Sequence, residues 1–81
     1  MATVMGLAVE TRSRKAPEVQ EILTRHGCII KTRLGLHEVS EDNCSQEGII
    51  ILMLSGNREE IKALEDDLGK VEGVRVNMMT V

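Results

Sequence analysis

His37 and Cys44 lie close together in the chain, with Glu38 and Asp42 between them. An imidazole and a thiolate are the ligands that nickel or zinc favours, and carboxylates can complete such a set. Two ligands from one chain could be completed by a second copy across an interface. The plainer reading, in which His37 is an exposed strand-end residue and Cys44 a loop thiol, weighs more. His26 and Cys28 flank Gly27, and a His at a helix C-terminus is already favourable through the helix dipole. Arg12, Arg14 and Lys15 bring different chemistry. They crowd the turn before the first helix, where free backbone N–H groups and positive potential suit a carboxylate or phosphate. Their plainer reading is a solvated basic loop in an acidic protein. Met53, Met78 and Met79 could suggest a soft metal, but they read more simply as core or interface packing in a chain without rings. The run Glu65-Asp66-Asp67 reads as a helix surface. No Ser/His/Asp or Cys/His pair has a spacing that argues for catalysis, so no catalytic residue is assigned.

Composition narrows the field further. The chain has 81 residues, 42% apolar and 28% charged, with a net charge of −3 and no Phe, Tyr or Trp. Without rings there is no platform for stacking bases and no cage for a quaternary cation. The acidic balance argues against nucleic acid and anionic membrane as partners. Two Cys residues make no disulfide framework. The longest apolar run, Ile49 to Leu54, is far short of a membrane span. With no secretory pattern at Met1, a cytoplasmic protein with reduced thiols is expected. One small domain over residues 1–81 is expected as well.

The elements that must position these residues follow from periodicity. Thr3 to Glu10 reads as a strand apolar on both faces, Met5, Leu7 and Val9 on one and Val4, Gly6 and Ala8 on the other, hence central. The first helix is expected from about Pro17 to His26, with Pro at its first position, a stripe of Val19, Ile22 and Leu23, and Gly27 turning left-handed to end it. Cys28 to Val39 reads as an edge strand. Ile30, Thr32, Leu34 and Leu36 share one face, and Lys31 and Arg33 lie on the other. Ser40 to Glu47 reads as a loop. Gly48 to Ser55 reads as the second central strand. Asn57 and Glu60 have capping-box spacing before a helix with Ile61, Leu64 and Leu68 inward and Gly69 at its end. Val71 to Val81 reads as the last strand.

The order βαββαβ predicts an α+β fold, the ferredoxin-like sandwich, with a four-stranded antiparallel sheet and two helices on one face. Strands one and three are central in that topology, matching their composition. The other sheet face has no helix over it, and an exposed apolar patch there predicts a homo-oligomer, a dimer or tetramer. Common users of this fold fail at their sites. RNA-recognition domains need aromatics on the central strands. Heavy-metal domains need a CxxC where this chain has Thr11 to Lys15. Acylphosphatases need a Gly-rich pattern around their Arg cradle.

The run Arg33-Leu34-Gly35-Leu36-His37, the apolar strand from Gly48, the helix ending Leu68-Gly69 and the final Gly73-Val74-Arg75-Val76 resemble short stand-alone ACT-like proteins described as iron-only hydrogenase system regulators. That resemblance covers about the last fifty residues. It implies a non-enzymatic regulatory or interaction module that binds a small effector or a protein partner between subunits, and Arg12, Arg14 and Lys15 are the candidate effector site. Asp42-Asn43-Cys44 is similar to the Cys end of the nickel site in the C-terminal domain of nickel-responsive repressors. The His positions of that motif fall here on Leu36 and Glu38, with His37 between them. That likeness implies the alternative, a nickel- or zinc-sensing domain using His37 and Cys44.

Overall fold

The computed structural model describes residues 2–10, 12–39 and 44–81, with side chains for 2–10, 15–35 and 48–81. β1 (Thr3–Val9) leads into α1 (Arg12–Arg25), a short 3-10 turn (Gly27–Ile29) and β2 (Ile30–Val39). β3 (Cys44–Leu54), α2 (Arg58–Gly69) and β4 (Val74–Thr80) complete the order βαββαβ. The sheet runs β2-β3-β1-β4, and every neighbouring pair is antiparallel. β1 and β3 are therefore central, the two strands whose faces are both apolar. This is the four-stranded sheet with two helices expected from the pattern.

Alternation along β1 builds the core. Met5, Leu7 and Val9 are buried beneath the helices, opposite Leu52 of β3, and Leu54 continues the same face. α1 contributes Val19, Ile22 and Leu23, and α2 contributes Leu64 and Leu68, with Ile29 and Val71 closing the ends. Each fully buried side chain of this size is worth about 1.5–3 kcal/mol of transfer free energy. Asn57 caps α2 as its spacing predicts. Its side chain accepts from the Glu60 N–H at 2.8 Å, and the Glu60 carboxylate accepts from the Asn57 N–H at 3.0 Å.

Several boundaries differ from expectation, each for a local reason. α1 begins at Arg12, and Pro17 lies inside it. A proline there removes the bond to the carbonyl one turn back and crowds that carbonyl, and the buried stripe from Val19 onward holds the helix against this cost. Gly27 does not turn left-handed. The chain tightens instead into the 3-10 turn, in which the Ile29 N–H donates to the His26 carbonyl at 3.2 Å. Gly69 is the last helical residue, and Lys70 closes the helix in right-handed geometry. The left-handed glycine is Gly73, at φ 83°. It delays β4 to Val74, and its carbonyl accepts from the Glu10 N–H at 2.8 Å. β3 starts at Cys44, so part of the expected loop is strand, while residues 40–43 lie outside the described residues. The register of β2 on β3 slips between Ile30 and Thr32. This bulge turns Ile30 onto the core side opposite Leu54 and leaves Thr32 and Leu34 on the open side.

Gly56 marks a close approach. A Cβ there would stand 2.8 Å from the Ile29 Cγ2 methyl, at the point where the Ser55 N–H donates to the Ile29 carbonyl at 2.7 Å. The root of β2 and the end of β3 are thus locked together without room for a side chain.

Candidate functional site

Among the described residues, nothing covers one face of the sheet. Register places Val4, Gly6 and Ala8 of β1 there, beside Ile49, Ile51 and Met53 of β3, Leu34 of β2, and Arg75, Asn77 and Met79 of β4. Leu34 is 54% exposed, Met53 41% and Met79 59%. These values set the face apart from a core. The chain has placed large apolar groups in water on the same sheet whose other side carries the packed core. Gly6 and Ala8 leave a trough of about 230 Å³ between Ile49 on one side and Arg75 and Asn77 on the other. The face therefore carries a β3 ridge and a β1 trough side by side. Met53 and Met78 do not fill the core. Met53 stands on this face and Met78 on the helix side of β4, both partly in water.

The candidate anion ligands sit at one end of the sheet. Arg12, Arg14 and Lys15 form the start of α1, directly after the end of β1. Their place is the first turn of the helix rather than a loop before it, so the three cations accompany backbone N–H groups that have no intrahelical acceptor. Lys15 is half-buried, and the side chains of Arg12 and Arg14 lie outside the described residues.

The candidate metal ligands belong to paired strands. His37 is opposite Gly48 and Cys44 is opposite Val39, on either side of a second slip in the β2–β3 register. His37 thus sits level with the end of β1, and Cys44 where β2 and β3 run on past it. Their side chains lie outside the described residues. Among the described residues, no group of three His, Cys, Asp or Glu side chains could hold a metal ion.

Sequence reasoning missed a link between the helices. His26 Nε2 lies 2.7 Å from Asp67 Oδ2, a hydrogen bond in which the ring N–H donates, and Arg25 Nη1 lies 3.5 Å from the same oxygen. The hydrogen bond from His26 holds the Asp67 carboxyl below the usual carboxylate range, and Arg25 and Lys70 add to it. Asp67 is therefore a clasp between α2 and the end of α1, where its acidic run had suggested plain surface. The two residues lie 41 apart, and no local pattern announces such a pair. Cys28, two residues on, is a free, exposed thiol.

An antiparallel four-stranded sheet with two helices on one face, in the order βαββαβ, is the ferredoxin-like sandwich that ACT domains share. The chain belongs to the TM1266-like family, described as iron-only hydrogenase system regulators, whose model matches residues 1–78. It is similar to the structure of TM1266 from Thermotoga maritima, with a TM-score of 0.82, 28% identity, and 96% of this chain and 92% of that one covered. The ACT domain of GTP pyrophosphokinase from Chlorobium tepidum shares the fold, with a TM-score of 0.68, 16% identity, and 98% and 97% covered. CPII from Thiomonas intermedia K12, solved bound to ADP, AMP and acetate, shares it at a TM-score of 0.56, 12% identity, and 99% and 87% covered. No curated protein matches the chain at significant similarity. The family is one described as regulators, and the fold is shared with ACT domains. No helix among the described residues is long and apolar enough to cross a membrane.

Proposed function

We propose that the chain is a cytoplasmic, non-enzymatic regulatory module that associates with a second copy of itself and binds a small anionic effector at the boundary between subunits. The observation that carries this reading is the uncovered apolar face. A face that exposes Leu34, Met53 and Met79 in water gains by burial at roughly 25 cal/mol per Å² of apolar surface. A second copy suits it, because the ridge of Ile49, Ile51 and Met53 matches in kind the trough over Gly6 and Ala8. Two such faces related by a two-fold axis can seat ridge in trough reciprocally. The effector reading rests on Arg12, Arg14 and Lys15 at the start of α1, where cations and unbonded N–H groups favour a carboxylate or phosphate. Thermal unfolding with acetate, phosphate and AMP checks it. A saturable rise in Tm, lost when Arg12 and Arg14 are both replaced by Ala, is expected. No rise with any of these anions, or a rise that survives in the double variant, would contradict it.

A nickel or zinc sensor is the second reading. It is favoured by one observation, the placement of His37 and Cys44 on paired strands at the same end of the sheet. Titrating reduced protein with Ni(II) should then give a thiolate charge-transfer band that is lost in Cys44→Ala. A flat spectrum would remove this reading for nickel.

A further inference from the structure

Two cavities adjoin at the end of the sheet where β1 starts. The smaller, about 180 Å³, takes in Lys31 and Ser55, and its walls are mostly polar. The larger, about 520 Å³, opens toward β4 and takes in Arg58, Met78, Met79 and Thr80. Thr3, Gly56 and Ile61 line both, so the two act as the arms of one cleft. The length of β1 separates this cleft from Arg12, Arg14 and Lys15, which follow the strand's other end.

Local sequence builds the cleft. The slip in the β2–β3 register between Ile30 and Thr32 makes Lys31 the extra residue of a bulge. Bulges re-aim side chains, and this one puts Lys31 on the wall of the smaller arm. Thr3 pairs with Leu54 on one side and with Thr80 on the other. The hydroxyls of Thr3, Thr80 and Ser55 therefore gather at one level of the sheet. α2 begins beside them at Arg58.

Charge in the cleft is unbalanced. Among the described residues, the side chains of Lys31 and Arg58 have no ion-pair or hydrogen-bond partner, in contrast to Arg25, Arg33 and Lys62. The Gly56 N–H has none among them either. The nearby carboxylates are already engaged, Glu60 by the Asn57 N–H and Glu65 by Lys62 at 4.0 Å. Ile61, Met78 and Met79 give the larger arm an apolar wall that is partly in water.

We infer that this cleft binds a phosphate monoester of a compact, largely apolar body, with the phosphate toward the smaller arm and the body in the larger. Lys31 meets the phosphate as a point charge, and the Arg58 guanidinium offers it two parallel N–H donors. A phosphate ester carries nearly two charges and three terminal oxygens. That is enough for both cations and for the Thr3 and Ser55 hydroxyls, whereas a carboxylate has one charge and two oxygens. The body covers Met78 and Met79, whose polarizable thioethers suit a flat ring. The site goes beyond the effector reading at the start of α1, and it uses the residues of one chain only.

Methyl NMR of the full chain labelled at methionine tests the site, with phenyl phosphate as the probe. The chain has no aromatic ring of its own, so a ring-current shift at a methyl reports the ligand. Saturable shifts are expected at Met78 and Met79, and none at Met5, which is fully buried in the core. Phenol and inorganic phosphate should each bind at least about tenfold more weakly than phenyl phosphate. Lys31→Gln together with Arg58→Gln is expected to weaken phenyl phosphate by at least about tenfold, because charge-assisted bonds are lost. Arg12→Ala together with Arg14→Ala should leave its affinity unchanged. Circular dichroism checks that each variant is folded, and if the Gln pair unfolds, Lys31→Gln alone decides. No saturable shift at Met78 or Met79 overturns the inference, and so does wild-type affinity in the Gln variant. Loss of binding in the Arg12 and Arg14 variant alone would move the anion to the start of α1 and overturn this cleft. Inorganic phosphate binding as tightly as phenyl phosphate would overturn the assignment of the apolar body.

Discussion

β2 and β4 border the same sheet, and their sequences treat the exposure in opposite ways. β2 breaks its register at Lys31. It places Arg33 on the helix side, where the guanidinium donates to Gln20 of α1. A bulge and long cations are how an edge is closed to a visiting strand. β4 keeps an unbroken register and carries Met78 and Met79 partly in water. The difference teaches that an edge is identified by its guards as well as by its position. The rule that marks β1 and β3 as central, apolar residues on both faces, does not mark β4, whose open side sets Arg75 and Asn77 beside Met79.

Substitutions can break or sharpen this contrast. Leu64 of α2 is fully buried, in the core that supports both edges. Leu64→Ala is expected to cost about 2–5 kcal/mol in denaturant unfolding, erasing the difference between the edges by weakening both. Gly56→Ala acts on one edge. Its new Cβ would press on Ile29 at the root of β2, and overpacking of this kind costs about 1–3 kcal/mol. Hydrogen exchange should speed up along β2 and stay nearly unchanged along β4. Asn57→Ala acts on the opposite side by removing the cap of α2, the helix over β4. A loss of about 1 kcal/mol is expected, read as a lower Tm with faster exchange in the first turn of α2.

The smallest effect is on pH dependence. Asp67 is held below its ordinary value of 3.8, so the unfolded chain binds its proton more readily than the folded one. The stability this contributes is present above the ordinary value and is lost as the pH falls through the lowered folded value. His26→Ala removes the largest cause. The variant should therefore lose less stability than the wild type on acidification below about pH 4, as measured by urea unfolding across that range.

Much of the fold is legible in the residues because its signals are local. Alternation in Met5, Leu7 and Val9 defines β1, and Asn57 with Glu60 defines the start of α2. The start of α1 was hidden because Pro17 imitates a first helical residue and the basic run before it imitates a loop. The face of Ile30 was hidden because a single bulge reverses every later residue of a strand. The candidate sites were legible only as residue types. His26 and Asp67 meet through the packing of two helices, a contact with no local signature, and the exposure of Met53 and Met78 depends on what the fold leaves uncovered.

Sedimentation of the wild-type chain across a wide concentration range tests the central claim most directly. The account predicts a mass of at least twice the 9.0 kDa chain, falling toward the single chain only on dilution. A constant 9.0 kDa at every concentration would contradict it.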